Sequence, residues 1–208
     1  KALSTLGISA KQIIELENNQ RLLTGHCAPA WQIYTGVLFG ALDSQSLSTT
    51  QRTGLSKSTY VQSALFGLVG FDDNIPAYRL SGDCTLPKVG SMTASWSKLC
   101  SQILAQQNEL VIDFRSGTYV KLGPLPTQID AVVPKVFQKM PTGAPKVVSH
   151  HNKATKGRIV RAIAQSKSNV KTIEDLAVVI SSLGADVDVI SRAGKPIAVS
   201  YTHLRAHE

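Results

Sequence analysis

The chain has 208 residues, of which 43% are apolar and 17% charged, and its formal net charge is +8 at pH 7. That balance fits a folded globular protein and excludes an intrinsically disordered one. No apolar run reaches the ~18 residues that span a bilayer, which excludes a helical membrane anchor within this sequence.

In chain order, the loosely periodic Ile13, Ile14, Leu16, Leu22 and Leu23 predict a helix over Ile8–Leu23, with Gly25 as its stop. Pro29-Ala30-Trp31 opens a second segment, Gln32–Leu42. Leu47–Ser58 is polar and turn-like, with room for a short helix. The apolar run Tyr60–Val69, closed by Gly70, predicts one strand, and Phe71–Leu80 a loop restricted by Pro76. Ser91–Gln107 predicts a helix with Trp96, Leu99, Ile103 and Leu104 on its apolar side. Glu109–Arg115 is nearly continuous in apolar character, as in a central strand covered on both faces. Ala131–Phe137 and Lys146–His150 are further strand candidates. Asn152–Gln165 predicts a helix, and Thr172-Ile173-Glu174-Asp175 opens another, through a capping-box pattern, that runs to Leu183 and stops at Gly184. Ala185–Ile190 alternates apolar and acidic residues and predicts an outer strand. The mixture predicts an α+β (mixed α/β) fold, a single domain with a central mixed sheet flanked by helices.

The charge is concentrated. From Ala131 to Ile173 there is no Asp or Glu, yet nine basic residues: Lys135, Lys139, Lys146, Lys153, Lys156, Arg158, Arg161, Lys167 and Lys171. A surplus gathered in one segment reads as a footprint for a polyanion. The plainer alternative is a solvated basic face.

On the helix in this block, take Lys153 as zero. Lys156 then falls at about 300°, Ile159 at about 240° and Ile163 at about 280°, whereas Arg158 and Arg161 fall at about 140° and 80°. Lys153 and Lys156 are therefore expected on or beside the apolar face. Inward lysines are costly unless they face a cleft or partner, and in the first turns they oppose the helix dipole. Either an anion is held there, or both stems snorkel to water.

A second polar group follows the expected strand: Arg115-Ser116-Gly117-Thr118-Tyr119. Ser116 lacks the preceding glycine of a nucleophile elbow, because position 114 is Phe. Arg115 and Tyr119 are favoured as polyanion or nucleotide contacts over Ser116 as a nucleophile, and a simple turn at Gly117 with Arg115 in a structural ion pair stands as an equal alternative. His150 and His151 are candidate ligands or proton shuttles without a third partner at a telling spacing. Asp72, Asp73, Asp83 and Asp113 are too scattered for a carboxylate site. Cys27, Cys84 and Cys100 have no metal or redox spacing and read as reduced thiols of a cytoplasmic protein. A peroxide-sensing thiol is the alternative, and it requires a lowered thiol pKa.

Lys1 is neither an initiator methionine nor the start of a signal peptide, so a segment is expected to precede it. Residues 199–208 resemble a translated sequencing adapter and are expected to be foreign. The domain is therefore assigned to 1–198, with 199–208 as a tail and His203 and His207 set aside.

Four motifs occur in a telling order: Tyr34-Thr35-Gly36; Ser63-Ala64-Leu65-Phe66-Gly67 running to Tyr78-Arg79-Leu80; Asp113-Phe114-Arg115-Ser116-Gly117-Thr118-Tyr119; and Ser149-His150-His151-Asn152-Lys153-Ala154-Thr155-Lys156-Gly157-Arg158. Together they resemble the peroxide stress response protein YaaA family, over roughly residues 8 to 198 and most closely its actinobacterial branch. The resemblance implies a cytoplasmic bacterial protein, induced by peroxide, that limits iron-driven damage to DNA and protein by keeping free iron low. It also implies DNA binding through a basic cleft and a helix-hairpin-helix element, on a fold peculiar to the family. That element is placed near Leu6-Gly7-Ile8-Ser9-Ala10-Lys11. Two departures stand out. Gly70-Phe71 replaces the family's Arg-Pro, although the following acid is kept as Asp73, and the family's N-terminal strand would lie before Lys1.

Two functions follow as expectations. The first is a non-enzymatic stress protein that binds double-stranded DNA with low sequence specificity. Lys153, Lys156, Arg158 and Arg115 would neutralise phosphates, Asn152 and Tyr119 would position or stack, and Ser116, Tyr78 and Arg79 would add anion contacts. The second is an enzyme acting on a nucleotide-like or phosphorylated small molecule in a pocket lined by Lys, Arg and Tyr. No metal, cofactor or membrane partner is expected under either.

Overall fold

A computed structural model describes residues 2–137, 149–166, 169–192 and 195–202. The elements are α1 (Ala2–Leu6), a 3-10 turn (Ala10–Gln12) leading into α2 (Ile13–Gln20), β1 (Cys27–Pro29), α3 (Ala30–Ile33) and α4 (Val37–Leu42). Next come a second 3-10 turn (Ser44–Ser46), α5 (Thr49–Ser58), β2 (Tyr60–Ser63), β3 (Gly67–Gly70), β4 (Asn74–Pro76), β5 (Thr85–Leu86), β6 (Gly90–Ser91) and α6 (Met92–Leu104). The chain continues through β7 (Val111–Ile112), α7 (Gly117–Val120), β8 (Ala131–Phe137), α8 (Ser149–Gln165), α9 (Ile173–Ser181), β9 (Asp186–Arg192) and β10 (Lys195–Thr202). The fold class is α+β.

The chain packs into two compact units. The first takes residues up to Tyr34, Ser56–Gln106 and Arg115–Pro126; the second takes Thr35–Leu55, Gln107–Phe114 and the chain from Thr127 onward.

In the first unit, the described strands pair as three antiparallel ribbons, β1 with β4, β2 with β3 and β5 with β6. The single strand expected over Tyr60–Val69 is instead a hairpin. Its turn ends at Gly67, whose φ of +78° suits glycine. A Cβ there would lie 2.8 Å from the Trp96 ring. Trp96 also donates its indole N–H to the Ala64 carbonyl at 2.8 Å, so α6 fixes the turn. Helix α6 begins as its sequence indicates, with the Ser91 hydroxyl accepting the Ala94 N–H. Its buried side is Met92, Cys100 and Leu104, whereas Leu99 and Ile103 are exposed, contrary to expectation. The loop expected after Gly70 contains β4. The long helix expected over Ile8–Leu23 is shorter, because Ser9 restarts the chain after α1 and α2 ends at Gln20. Apolar clusters around Ala64, Met92 and Leu122, and around Ala30, Val69 and Ile75, hold this unit.

The second unit contains a mixed sheet in the order β7-β8-β10-β9. β8 runs parallel to both β7 and β10, and β10 pairs antiparallel with β9. Val132 of β8, Ile159 of α8, and Leu176 and Ile180 of α9 form its core. β8 is interior, as an apolar run predicts. β7, expected to be central, is a two-residue edge strand. The outer placement of β9 follows from its alternating sequence. Positions 149 and 150 of the expected strand Lys146–His150 belong to α8, and the rest lies outside the described residues. The segment expected to be foreign from Val199 is paired within β10 as far as Thr202.

Candidate functional site

Helix α8 is buried along more than one side. Gly157 sits against α4: an added Cβ would lie 2.9 Å from Ala41 Cβ, 3.0 Å from the Leu42 nitrogen, and closer still to the Leu38 carbonyl. This glycine therefore serves close helix packing, not a phosphate loop. One turn on, the Arg161 guanidinium donates to the Leu42 and Asp43 carbonyls at 2.9 Å each. It also lies 3.7 Å from the Asp43 carboxylate. Those carbonyls end α4, where a helix leaves acceptors unsatisfied. Arg161, expected to point away, is thus a cap for a neighbouring helix.

Lys156 is buried, at 8% exposure. Its Nζ donates to the Phe114 carbonyl at 3.2 Å, just beyond β7. Burial pushes its pKa down, and the charge of the nearby Asp113, also buried, opposes that. Asn152, one turn earlier, is half-buried, and its Oδ1 is shielded from solvent without a hydrogen-bond partner. On the helical wheel Asn152 and Lys156 lie within the apolar stripe, whereas Lys153 lies at its border. Lys153 is accordingly exposed, which corrects its expected inward placement, and Arg158 is exposed as expected. Of the nine basic residues of the acid-free block, Lys135, Lys153, Arg158 and Lys171 are exposed, and Lys156 and Arg161 are engaged internally. Lys139, Lys146 and Lys167 lie outside the described residues, as do the side chains of His150 and His151.

The first unit gathers a different set. Ser63 is almost fully buried, and its Oγ accepts the Leu65 and Phe66 N–H groups at 3.0 and 2.9 Å. With both lone pairs taken, its proton goes to the Tyr78 hydroxyl, 2.6 Å away. The Tyr78 hydroxyl is also hydrogen-bonded to the Tyr34 hydroxyl at 2.9 Å. Burial, reinforced by Tyr34, pushes the Tyr78 pKa far up, so this phenol stays protonated. Tyr119 is close to Arg79, Asp83 and Tyr34; burial raises its pKa, and the Gly82 N–H on its oxygen partly offsets that. Arg79 itself is exposed. Tyr78, Arg79 and Tyr119 are therefore brought together, with Tyr34 and Ser63, which the sequence singled out only as motif letters.

Arg115 has a structural partner: it donates to Gln62 Oε1 at 2.9 Å, and Gln62 donates to the Gly67 carbonyl and the Cys100 sulfur. Ser116 precedes α7 as its N-cap residue without a side-chain capping bond, and it is exposed. Cys84 and Cys100 are buried and Cys27 is exposed, all as free thiols. Among the described residues no cluster of three or more His, Cys, Asp or Glu side chains could hold a metal ion. No helix among them is long and apolar enough to cross a membrane.

The predicted helix-hairpin-helix region contains a tight turn between two helices. Gly7, at φ +65°, donates to the Ser4 carbonyl and Ile8 to the Leu3 carbonyl, a Schellman stop for α1. Gln12 then accepts the Ser9 N–H at 3.1 Å and opens the next helical segment.

The family model described as peroxide stress protein YaaA matches residues 1–184. The chain belongs to the peroxide stress protein YaaA family. A UPF0246 protein of Corynebacterium glutamicum is 41% identical over 192 residues, 90% of this chain and 76% of the relative. One from Streptomyces coelicolor is 36% identical over 94% of this chain and 76% of its own length. A more distant relative, from Aliivibrio fischeri, is 29% identical over 70% of this chain and 60% of its own. The actinobacterial relatives share more identity than the more distant one, and the ordered motifs that suggested the YaaA family fall within the matched range.

Proposed function

We propose that this YaaA-family protein is a cytoplasmic peroxide-stress protein that binds duplex DNA and thereby helps limit iron-driven oxidative damage. The observation that carries this reading is the acid-free block of the second unit, whose described basic residues Lys135, Lys153, Arg158 and Lys171 remain exposed. Exposed cations in a segment without acidic residues suit the sequence-independent phosphate contacts of non-specific DNA binding, although Lys171 lies beside the Asp175 carboxylate. The helix–turn–helix geometry around Gly7, with Lys11 exposed beside it, supports a second backbone contact of the helix-hairpin-helix kind. Lys156 is left out of the phosphate contacts, because its amine is buried on the Phe114 carbonyl. In fluorescence anisotropy with a labelled duplex, Lys153→Ala/Arg158→Ala weakens binding at low salt. Equal affinity for variant and parent would contradict this assignment.

A second reading is supported by the first unit, where residues from three motifs, Tyr34, Ser63 with Tyr78 and Arg79, and Tyr119, meet around a chain of hydroxyl groups. A set of protonated phenols beside an arginine suits a small phosphorylated or nucleotide-like ligand better than a long polyanion.

A further inference from the structure

The dipeptide Tyr78-Arg79 is held unusually firmly for a loop. The phenol of Tyr78 is fixed between Ser63 and Tyr34. The backbone of Arg79 is fixed by one side chain of α2: Asn19 donates to its carbonyl and accepts its N–H, both at 2.8 Å. This double bond from a carboxamide mimics a strand partner and orders the residue on both sides of its Cα. The guanidinium it carries is exposed, and no carboxylate pairs with it among the described residues. Preorganising the backbone of an exposed arginine is what a ligand-binding arginine requires.

The surroundings specify a ligand. Arg79, Ser81 and Asp83 line a cavity of about 330 Å³, with Ser4 and Thr5 at the end of α1 on its wall. That volume is at the lower end of small-molecule sites. Beside this cavity, Tyr119 accepts the N–H of Gly82, the residue between Ser81 and Asp83. Gly82 is packed tightly here, since an added Cβ would lie 3.0 Å from Leu122 and 3.4 Å from the Tyr119 ring. Asp83 is exposed, and the Ser81 hydroxyl bonded to it holds its carboxyl below the usual range, so it is an ionised acceptor. An arginine and a phenolic donor match phosphoryl oxygens, whereas a carboxylate beside them repels a polyanion and accepts a hydroxyl.

We propose that Arg79, Tyr119 and Asp83 form a binding site for a small phosphate monoester that carries a free hydroxyl, such as a sugar phosphate or a nucleoside monophosphate. Arg79 and Tyr119 hold the phosphoryl group, Asp83 accepts from a ligand hydroxyl, and Asn19 and Ser63 act as positioning residues. The inference rests on the small-ligand reading above and is independent of DNA binding by α8.

Isothermal titration with ribose 5-phosphate, the four ribonucleoside monophosphates and inorganic phosphate tests it on the protein. At least one ester binds, and Arg79→Ala lowers its affinity by about tenfold or more, the loss expected for one charge-assisted pair. Tyr119→Phe lowers it less. Asp83→Asn weakens the ester while leaving inorganic phosphate unchanged, and Asn19→Ala weakens both although the guanidinium remains. Circular dichroism confirms that each variant folds, as the exposed side chains of Arg79 and Asp83 permit. If an ester binds with the same affinity to Arg79→Ala and Tyr119→Phe, the site is wrong and only the small-ligand reading survives. If no ester binds, both fail. If only a duplex oligonucleotide binds, and Arg79→Ala weakens it, the residues serve DNA and the proposal is overturned.

Discussion

Two neighbours on α8, Lys156 and Gly157, show how one motif divides its residues between structure and chemistry. Lys156 is a buried cation whose pKa burial has lowered from 10.5. Its unfolded counterpart binds its proton more tightly. Between the lowered folded value and 10.5 the unfolded state therefore holds more protons, and stability rises with pH. Tyr78 works in the opposite sense above its ordinary value of 10.0, because its raised folded pKa favours the protonated native state there. Denaturant titrations between pH 7 and pH 9.5, roughly the window the two reference values leave, should show wild-type stability rising more than that of Lys156→Met. Superimposable profiles would mean that Lys156 is not desolvated. Gly157 makes a separate prediction. Gly157→Ala forces a methyl group into the α4 backbone and should cost about 1–3 kcal/mol, read as a lowered denaturation midpoint at constant slope. A cost near zero would show that α4 and α8 are not in close contact.

At the scale of elements, what was legible in the sequence is what local chemistry decides. The opening of α9 is an example. The Thr172 hydroxyl accepts the Asp175 N–H at 3.1 Å, and the Asp175 carboxylate accepts the Thr172 and Lys171 N–H groups at 3.0 Å. These bonds hold the Asp175 carboxyl below 3.8, so their contribution is present above that value and fades as pH falls through the lower folded one. Thr172→Ala should cost about 1 kcal/mol in urea denaturation, and an unchanged midpoint would sink the capping account. Ser91 as a cap, β8 as an interior strand and β9 as an outer one were legible for similar reasons. The hairpin β2–β3 was misread because the run is mostly apolar and β-favouring on both sides of its turn, although Gly67 within it carried a turn signal. β7 was misread because an apolar run does not reveal how many neighbours a strand has. The hydroxyl chain from Ser63 through Tyr78 to Tyr34 was not legible at all. It joins positions far apart in sequence, and only the folded chain brings them within hydrogen-bond distance.

At the scale of the whole molecule, composition pointed to a polyanion, and the structure refines which charges are available. The nine basic residues are not equivalent: Arg161 caps α4 and Lys156 serves the end of β7, so neither belongs among the proposed phosphate contacts. The membership of the YaaA family gives the peroxide-stress context, and the exposed cations of the second unit are the proposed phosphate contacts. The first unit, with its clamped arginine and protonated phenols, supplies chemistry of a different kind. The most direct test of the central claim is the salt dependence of duplex binding by anisotropy, for the protein and for Lys153→Ala/Arg158→Ala. Each phosphate contact contributes about −0.9 to the log–log slope, so the double variant should flatten it by about 1.8. A flat wild-type response, or a slope the double variant leaves unchanged, would contradict DNA binding through these residues.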